Sequence, residues 1–352
     1  MQRAKQDQAL GRAGDSGPGV FLACFQGVVL RKEECPPIVS RGSRKDMRRP
    51  LLRLQSTLPS LAPSAARITT EQLAALTDHV LASRRLLVIT GAGFSTHSGI
   101  PDYRSPNGSY SRGHTPIQHN AFMRDPAARR RYWTRSFVGW QYFSRAQPNA
   151  AHRALAELEA HGLVQETVTQ NVDGLHSAAG MVNVLDLHGR IDAVECTECG
   201  VTSPRARLQE RLREANAEWA ASLPQLKPTE LRADGDSEIR ETDAFVVPSC
   251  ELCDGILKPA VTFFGGNVPA NKVQAAAQAV ANADSLLVAG SSLQVFSAFR
   301  LVRAAAAAAL PIAIINNGPT RADDLATQLL PCDVCDVLPA LANAVGDDAR
   351  GG

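Results

Sequence analysis

The chain has 352 residues, 20% charged and 44% hydrophobic, enough for one large or two ordinary domains with a proper core. A net charge of +2 argues against nucleic-acid binding driven by overall charge, and no apolar run reaches the length of a membrane span. Neither nucleic acid nor membrane is therefore expected as a partner.

Charge is uneven along the chain: residues 1–67 carry a net +7 and the remainder −5. Residues 1–66 mix Gly, Pro, Ser and basic residues without periodicity, which predicts a disordered basic tail. Within it, MRRPLLRLQSTLPSLAPSAARITT (47–70) has four arginines and no acid, as organellar transit peptides do. Two readings stay open. The preferred one is a bacterial, cytoplasmic protein with a loose tail, for which Met47 is an alternative start; the other is a mitochondrial-matrix protein.

Order is expected from Ile68. Thr69 or Thr70 caps a helix through EQLAALTDHVLAS, and RLLVIT (85–90) reads as a buried parallel strand. The unit then repeats: helix 149–162 before strand 163–169, helix 270–283 before strand 284–290, helix 295–310 before strand 311–316. This alternation predicts an α/β fold, a doubly wound parallel, Rossmann-like sheet. Four strand ends carry polar signatures, GAG at 91, QNVDGLH at 170, GSSLQ at 290 and NNG at 316, and ligands of such sheets bind there. Two stretches break the alternation and predict a second, smaller domain, helical at 105–148 and zinc-binding at 191–255.

The loop after the first strand, TGAGFSTHSGIPDYRS (90–105), only half fits a dinucleotide fingerprint. Gly91 and Gly93 match Gly-x-Gly-x-x-Gly, Thr96 stands where the third glycine belongs, and Gly99-Ile100-Pro101 forbids a long helix. Gly91, Ala92 and Gly93 are expected to let the backbone approach a pyrophosphate.

Eight cysteines include three Cys-x-x-Cys pairs. Glycine supplies the tight turn a zinc knuckle needs, and CTECG and CELCDG have one where CDVCDV has none. One structural zinc is assigned to Cys196, Cys199, Cys250 and Cys253. With four thiolates it has no open position for chemistry.

With these parts in order the chain resembles the sirtuins, NAD-dependent protein deacylases, over about residues 68–340. The resemblance rests on GAGFSTHSGIPDYRS, TQNVDGLH, LHGRI and GSSLQV. TPIQHNAFMR, RRYWTRSFVGW, FFGGNVP, GPTRADD and the long gap between cysteine pairs resemble the class II branch, which includes a mitochondrial lipoamidase-type member. The resemblance implies a catalytic domain at 67–346, with a large part at 67–104, 149–190 and 256–346. It implies NAD as co-substrate, held by Gly91, Ala92, Gly93, Phe94, Ser95, Ile100, Asp102, Tyr103, Arg104, Gln170, Asn171, Val172, Asp173, Gly290, Ser291, Ser292, Asn316, Asn317, Gly318 and the backbone of Cys335 in the last strand. Asn316 substitutes for the usual ribose acid.

His188 and Asn171 are the implied catalytic residues: Asn171 positions ribose or water, and Asp173 and Ile100 contact the nicotinamide amide. In the family mechanism the acyl-lysine carbonyl oxygen attacks the anomeric carbon and nicotinamide leaves. The histidine then helps deprotonate a ribose hydroxyl, and water releases free lysine and 2′-O-acyl-ADP-ribose, an acyl transfer to ADP-ribose. Acylated lysines of proteins are the implied partners, VTFFGG (261–266) their β-augmenting strand, and a monomer the expected state. Four positions depart from the pattern: Phe94 for Ile, His97 for Glu or Ala, and Ala260 and Gly266 for acids. Arg129–Arg131 are read as a solvated helix face or a site for acidic acyl groups or phosphate. Protein mono-ADP-ribosylation and lipoamidase activity remain alternatives on the same NAD site. A hydride-transferring dehydrogenase is excluded by the glycine loop and the missing ribose acid.

Overall fold

The computed structural model describes residues 67–222, 232–235 and 242–351, with backbone alone from 347; the expected tail at 1–66 lies outside them. The described chain opens with helix α1 (Thr70–Ala82), where Thr69 and Gln72 form a reciprocal capping box. Strand β1 (Leu86–Thr90) is buried at every residue, as a central parallel strand requires. There follow α2 (His119–Arg124), α3 (Pro126–Phe143), α4 (Ala150–Ala160), β2 (Val164–Thr169), the short α5 (Leu175–Ala178) and β3 (Val184–Asp186). Next come β4 (Gly189–Cys196), β5 (Thr202–Pro204), α6 (Arg205–Ala215), α7 (Ala217–Ala221) and β6 (Leu257–Val261). The chain closes with α8 (Ala270–Asn282), β7 (Ser285–Ala289), α9 (Phe296–Ala307), β8 (Ile312–Ile315), β9 (Gln328–Leu330) and α10 (Val334–Gly351).

Six strands form a parallel sheet in the order β3-β2-β1-β7-β8-β9. Counted along the sheet's own strands this is the 3-2-1-4-5-6 order of dinucleotide-binding folds, with the switch point between β1 and β7. Alternate residues of β1 serve opposite faces. Val88 joins the core under α1, α4 and α10, whereas Leu87 and Ile89 join the core under α8 and α9. The register levels the strand ends: Thr90 pairs with both Thr169 and Ala289, and Ala289 with Ile315. Gly91, Gln170, Gly290 and Asn316 therefore leave the sheet side by side.

The smaller domain is an antiparallel sheet, β5-β4-β6, sharing one core with the helical insert. Phe122, Trp133 and Phe137 pack there with Val194, Leu208, Leu212 and Leu257, and the Trp133 indole N–H donates to the Leu257 carbonyl at 3.1 Å. Here the structure moves a boundary. Leu257–Val261, expected in the large part, pairs with β4 instead. Lys258 and Pro259 give that segment none of the continuous apolar character a central parallel strand needs. β3 and β9 had no sequence signal, being three-residue strands at the sheet edges. A second correction concerns Cys335, expected in the last strand: it lies in the first turn of α10.

Candidate active site

Between the level strand ends and the small domain lies a cavity of about 1380 Å³. One small ligand commonly needs ~300–1,000 Å³, so there is room for more than one substrate. All four polar strand ends reach it, through Ala92–Gly93, Gln170–Asp173, Gly290–Ser292 and Asn316–Gly318, together with Ser95, Ile100, Asp102, Tyr103, Arg104 and His188.

The glycines also meet the neighbouring strand end closely. The Gly93 N–H donates to the Gly290 carbonyl at 2.9 Å, and a Cβ on Gly93 would stand 2.9 Å from that same oxygen. A Cβ on Gly91 would meet the Ser291 side chain at 2.7 Å. Gly91 itself does not line the cavity, so it is needed to let two neighbouring strand ends touch.

Asn171, buried, donates through Nδ2 to the Gly91 carbonyl and to Ser95 Oγ, both at 3.0 Å. Ser95 Oγ in turn donates to Asp173 Oδ2 at 2.7 Å. The other carboxylate oxygen of Asp173 accepts the Leu175 N–H at 2.9 Å, so this acid closes a turn and serves the network at once. Burial raises its pKa above the ordinary carboxylate value. Gln170 spans the switch point, donating to Ser291 Oγ at 2.7 Å and to the Thr90 carbonyl at 3.2 Å.

His188 sits between β3 and β4. Its Nδ1 is 3.0 Å from the Gln170 carbonyl, which can only accept, so Nδ1 carries the proton of the neutral ring. That leaves the Nε2 lone pair for the Ser297 hydroxyl at 2.8 Å. Burial lowers the imidazole pKa below its ordinary value, opposed by the Gln170 hydrogen bond. At neutral pH the ring is a free base at the cavity wall. Next door, Gly189 has φ +88°, and a Cβ there would fall 2.0 Å from the Ala260 carbonyl, so the close crossing of β4 and β6 demands glycine.

Three expected residues, Gly91, Phe94 and Cys335, do not line the cavity. The Phe94 side chain is fully buried between His152 and His176 and does not reach the cavity. Cys335 opens onto a separate depression, and its N–H donates to Asp333 Oδ1 at 2.8 Å. Asp102 Oδ1 accepts the Ser105 N–H, Tyr103 packs on Tyr110 at 5.3 Å, and Arg104 covers the Tyr110 ring at 5.2 Å. Asn316 Nδ2 donates to the Gly318 carbonyl and Asn317 Nδ2 to Asp333 Oδ2. VTFFGG is strand only at Val261; Gly265 has φ +75° and Phe264 already gives its carbonyl to the His119 N–H. Arg129 donates to the Phe122 and Met123 carbonyls at the end of α2, while Arg130 and Arg131 pair loosely with Asp243 and Asp125. Sequence reading missed Ser297 and Asp333, since one serine in a helix's first turn and one aspartate before another carry no local signal.

Two knuckles bring Cys196, Cys199, Cys250 and Cys253 together, with all four sulfurs within 4.8 Å of one another. Cys196 and Cys253 are 3.5 Å apart, and Cys199 and Cys250 3.8 Å. Tetrahedral Zn–S bonds of about 2.3 Å set sulfurs about 3.8 Å apart, so the cluster fits zinc. Gly200 takes the left-handed turn, φ +72°, in the first knuckle. In the second Asp254 takes it, φ 57°, and Gly255 is needed for space, its Cβ position lying 2.8 Å from Cys196 Sγ. Cys332 is buried in the sheet core, away from the cluster.

Residues 91–297 match the model of the Sir2 family. An NAD-dependent protein deacetylase 2 of Bradyrhizobium diazoefficiens is 51% identical over 254 residues, 72% of this chain and 91% of the relative. The mitochondrial NAD-dependent protein lipoamidase sirtuin-4 of Homo sapiens is 46% identical over 291 residues, 82% and 91%. Among solved structures, a Sir2 enzyme superposes with TM-score 0.63 at 29% identity, covering 79% of this chain and 99% of that one. A Sir2 enzyme solved with a peptide and NAD+ gives 0.58 at 28%, covering 80% and 99%.

Proposed function

The chain belongs to the Sir2 family, and from that premise we propose that it is an NAD-dependent protein lysine deacylase with a structural zinc. The observation that carries this reading is the convergence of four level strand ends, the Asn171–Ser95–Asp173 network and a neutral, cavity-facing His188 on one cavity large enough for two substrates.

In this reading the Gly93–Ser95 turn, the strand ends at 290–292 and 316–318 and the loop at 100–104 hold NAD. Asn171 and Asp173 face the nicotinamide end, with Asn171 orienting ribose or water. Once the acyl oxygen has attacked and nicotinamide has left, His188 Nε2 takes the proton of a ribose hydroxyl, exchanging its hydrogen bond to Ser297 for one to substrate. The Gln170 carbonyl fixes the tautomer that leaves Nε2 free. The acyl-peptide enters along residues 262–268. Zinc holds the two knuckles and does no chemistry. We assign residues 189–222, 232–235 and 242–261, with the insert at 105–148, to the small domain, and the other described residues to the large one.

The test is mass spectrometry of a panel of acyl-lysine peptides incubated with enzyme and NAD. Free lysine, nicotinamide and O-acyl-ADP-ribose should form in equal amounts. His188→Ala should lose roughly 10²–10⁴-fold of turnover, the scale of general-base loss, while NAD binding and some nicotinamide exchange persist. A folded His188→Ala protein with near-normal turnover refutes the assignment. Transfer of ADP-ribose to protein without lysine release would favour the mono-ADP-ribosyltransferase reading. The 46% identity to a lipoamidase makes lipoyl-lysine a necessary member of the panel.

A further inference from the structure

We propose that His97, Asp333 and Cys335 form a second divalent-metal site, separate from the four-cysteine cluster, at the rim of the cavity. His97 lies in the short 3-10 turn Thr96–Ser98 that directly follows Ser95, Asp333 directly precedes α10, and Cys335 is in its first turn. Residues 236 positions apart thus bring imidazole, carboxylate and thiol together, with ligand atoms all within 4.8 Å of one another. His97 Nε2 and Asp333 Oδ2 are 3.1 Å apart, already the separation of two ligands on one small ion.

The donor set chooses the metal. A thiolate and an imidazole beside one carboxylate suit Zn²⁺ and its borderline-soft neighbours, not Mg²⁺ or Ca²⁺, which want oxygen. Three protein ligands leave one position open. The His97 side chain is 53% exposed, and a depression of about 510 Å³ lined by His97 and Cys335 gives water access to that position. Such a site exchanges its metal, unlike the closed cysteine tetrad. Binding requires neutral His97 and expels the Cys335 thiol proton to solvent. The Cys-x-x-Cys spacing is not what makes the site, because Cys332 is turned into the core at 1% exposure.

Occupancy would be felt in the cavity. Asp333 lines it, and the same Oδ2 that meets His97 accepts the amide of Asn317, another lining residue, at 3.1 Å. A metal on that oxygen withdraws the carboxylate from Asn317 and ties the loop after β1 to α10. On the deacylase reading the metal therefore raises the KM for NAD.

The experiment starts from protein with one zinc in the tetrad. Titration with Zn²⁺, followed by calorimetry, should show a second equivalent, and Co²⁺ added to the same protein should give a thiolate-to-cobalt charge-transfer band. His97→Gln and Cys335→Ser should each weaken the second equivalent by more than the roughly 10–100-fold typical of losing an outer-shell partner. Cys335→Ser should abolish the band, and Cys332→Ser should keep both. Absence of a second equivalent, or one equally tight in His97→Gln and Cys335→Ser, overturns the site. A second equivalent that leaves the NAD KM unchanged overturns its coupling to the cavity. The titrations do not depend on turnover, so they decide the site even if the deacylase reading fails.

Discussion

Acidification should strip stability through two buried histidines behind the active site. His152 and His176 are 0% and 1% exposed, their rings 4.9 Å apart and both packed on Phe94. His152 bonds Asn149 and His176 bonds Thr90, and the remaining nitrogen of each has no partner among the described residues. Burial, then the neighbouring His176 and Arg153, lowers the His152 pKa to about 2; burial lowers that of His176 to about 3. Both folded values lie below the unfolded value near 6.5, so the unfolded chain binds two more protons than the native one between those limits. The stability is complete above pH 6.5 and is lost as pH falls. Each proton contributes about 1.36 kcal/mol per pH unit, so the pair costs roughly 5 kcal/mol between pH 6.5 and 4.5. That equals the lower end of a domain's total stability, ~5–15 kcal/mol. Urea melts at pH 7.5, 6.5, 5.5 and 4.5 measure it, comparing the protein with His176→Gln and with the double variant His152→Gln/His176→Gln. The single variant should lose one proton's worth of slope and the double variant both, although each starts less stable at pH 7.5. Zinc release at low pH is common to all three and cancels in the difference. An acid slope in the double variant equal to that of the unmodified protein refutes the reasoning.

Gly189→Ala adds about 1–2 kcal/mol for a left-handed residue and ~1–3 kcal/mol for the collision with the Ala260 carbonyl. It should therefore melt several degrees lower and lose turnover beyond that, because His188 is the adjoining residue; a thermal melt and an acyl-lysine assay check both. Ser297→Ala removes the hydroxyl on His188 Nε2, a hydrogen bond of ~0.5–1.5 kcal/mol. It should change kcat about 2–10-fold and shift the acid limb of the pH profile while leaving the KM for NAD as it was. Replacing Cys196 by Ala should release the structural zinc and unfold the small domain, whereas Cys332→Ala should retain one equivalent by metal analysis.

The sequence by itself determined what repeats or is chemically unmistakable. Helix and strand alternation gave the parallel sheet, because buried strands and amphipathic helices have different periods. Glycine after a cysteine pair marked the two knuckles, because the first needs left-handed backbone at Gly200 and the second needs space beside the sulfurs at Gly255. Polar strand ends at 91, 170, 290 and 316 indicated one crevice, because a parallel sheet sends all its carboxyl ends the same way. What only the tertiary structure decided depends on contacts far apart in the chain. That Gly91 and Gly93 also have no room for a side chain, because Gly290 and Ser291, about two hundred residues on, come so close, is set by the tertiary structure alone. Leu257–Val261 has too mixed a pattern to choose a sheet, and pairing with β4 chose for it. His188 carries no mark of its tautomer in LHGRI; the Gln170 carbonyl and the Ser297 hydroxyl set it from two other elements. Local sequence encodes which way a segment folds, while the partner that meets it, and so the protonation of its side chains, is fixed only when the strand ends are brought level.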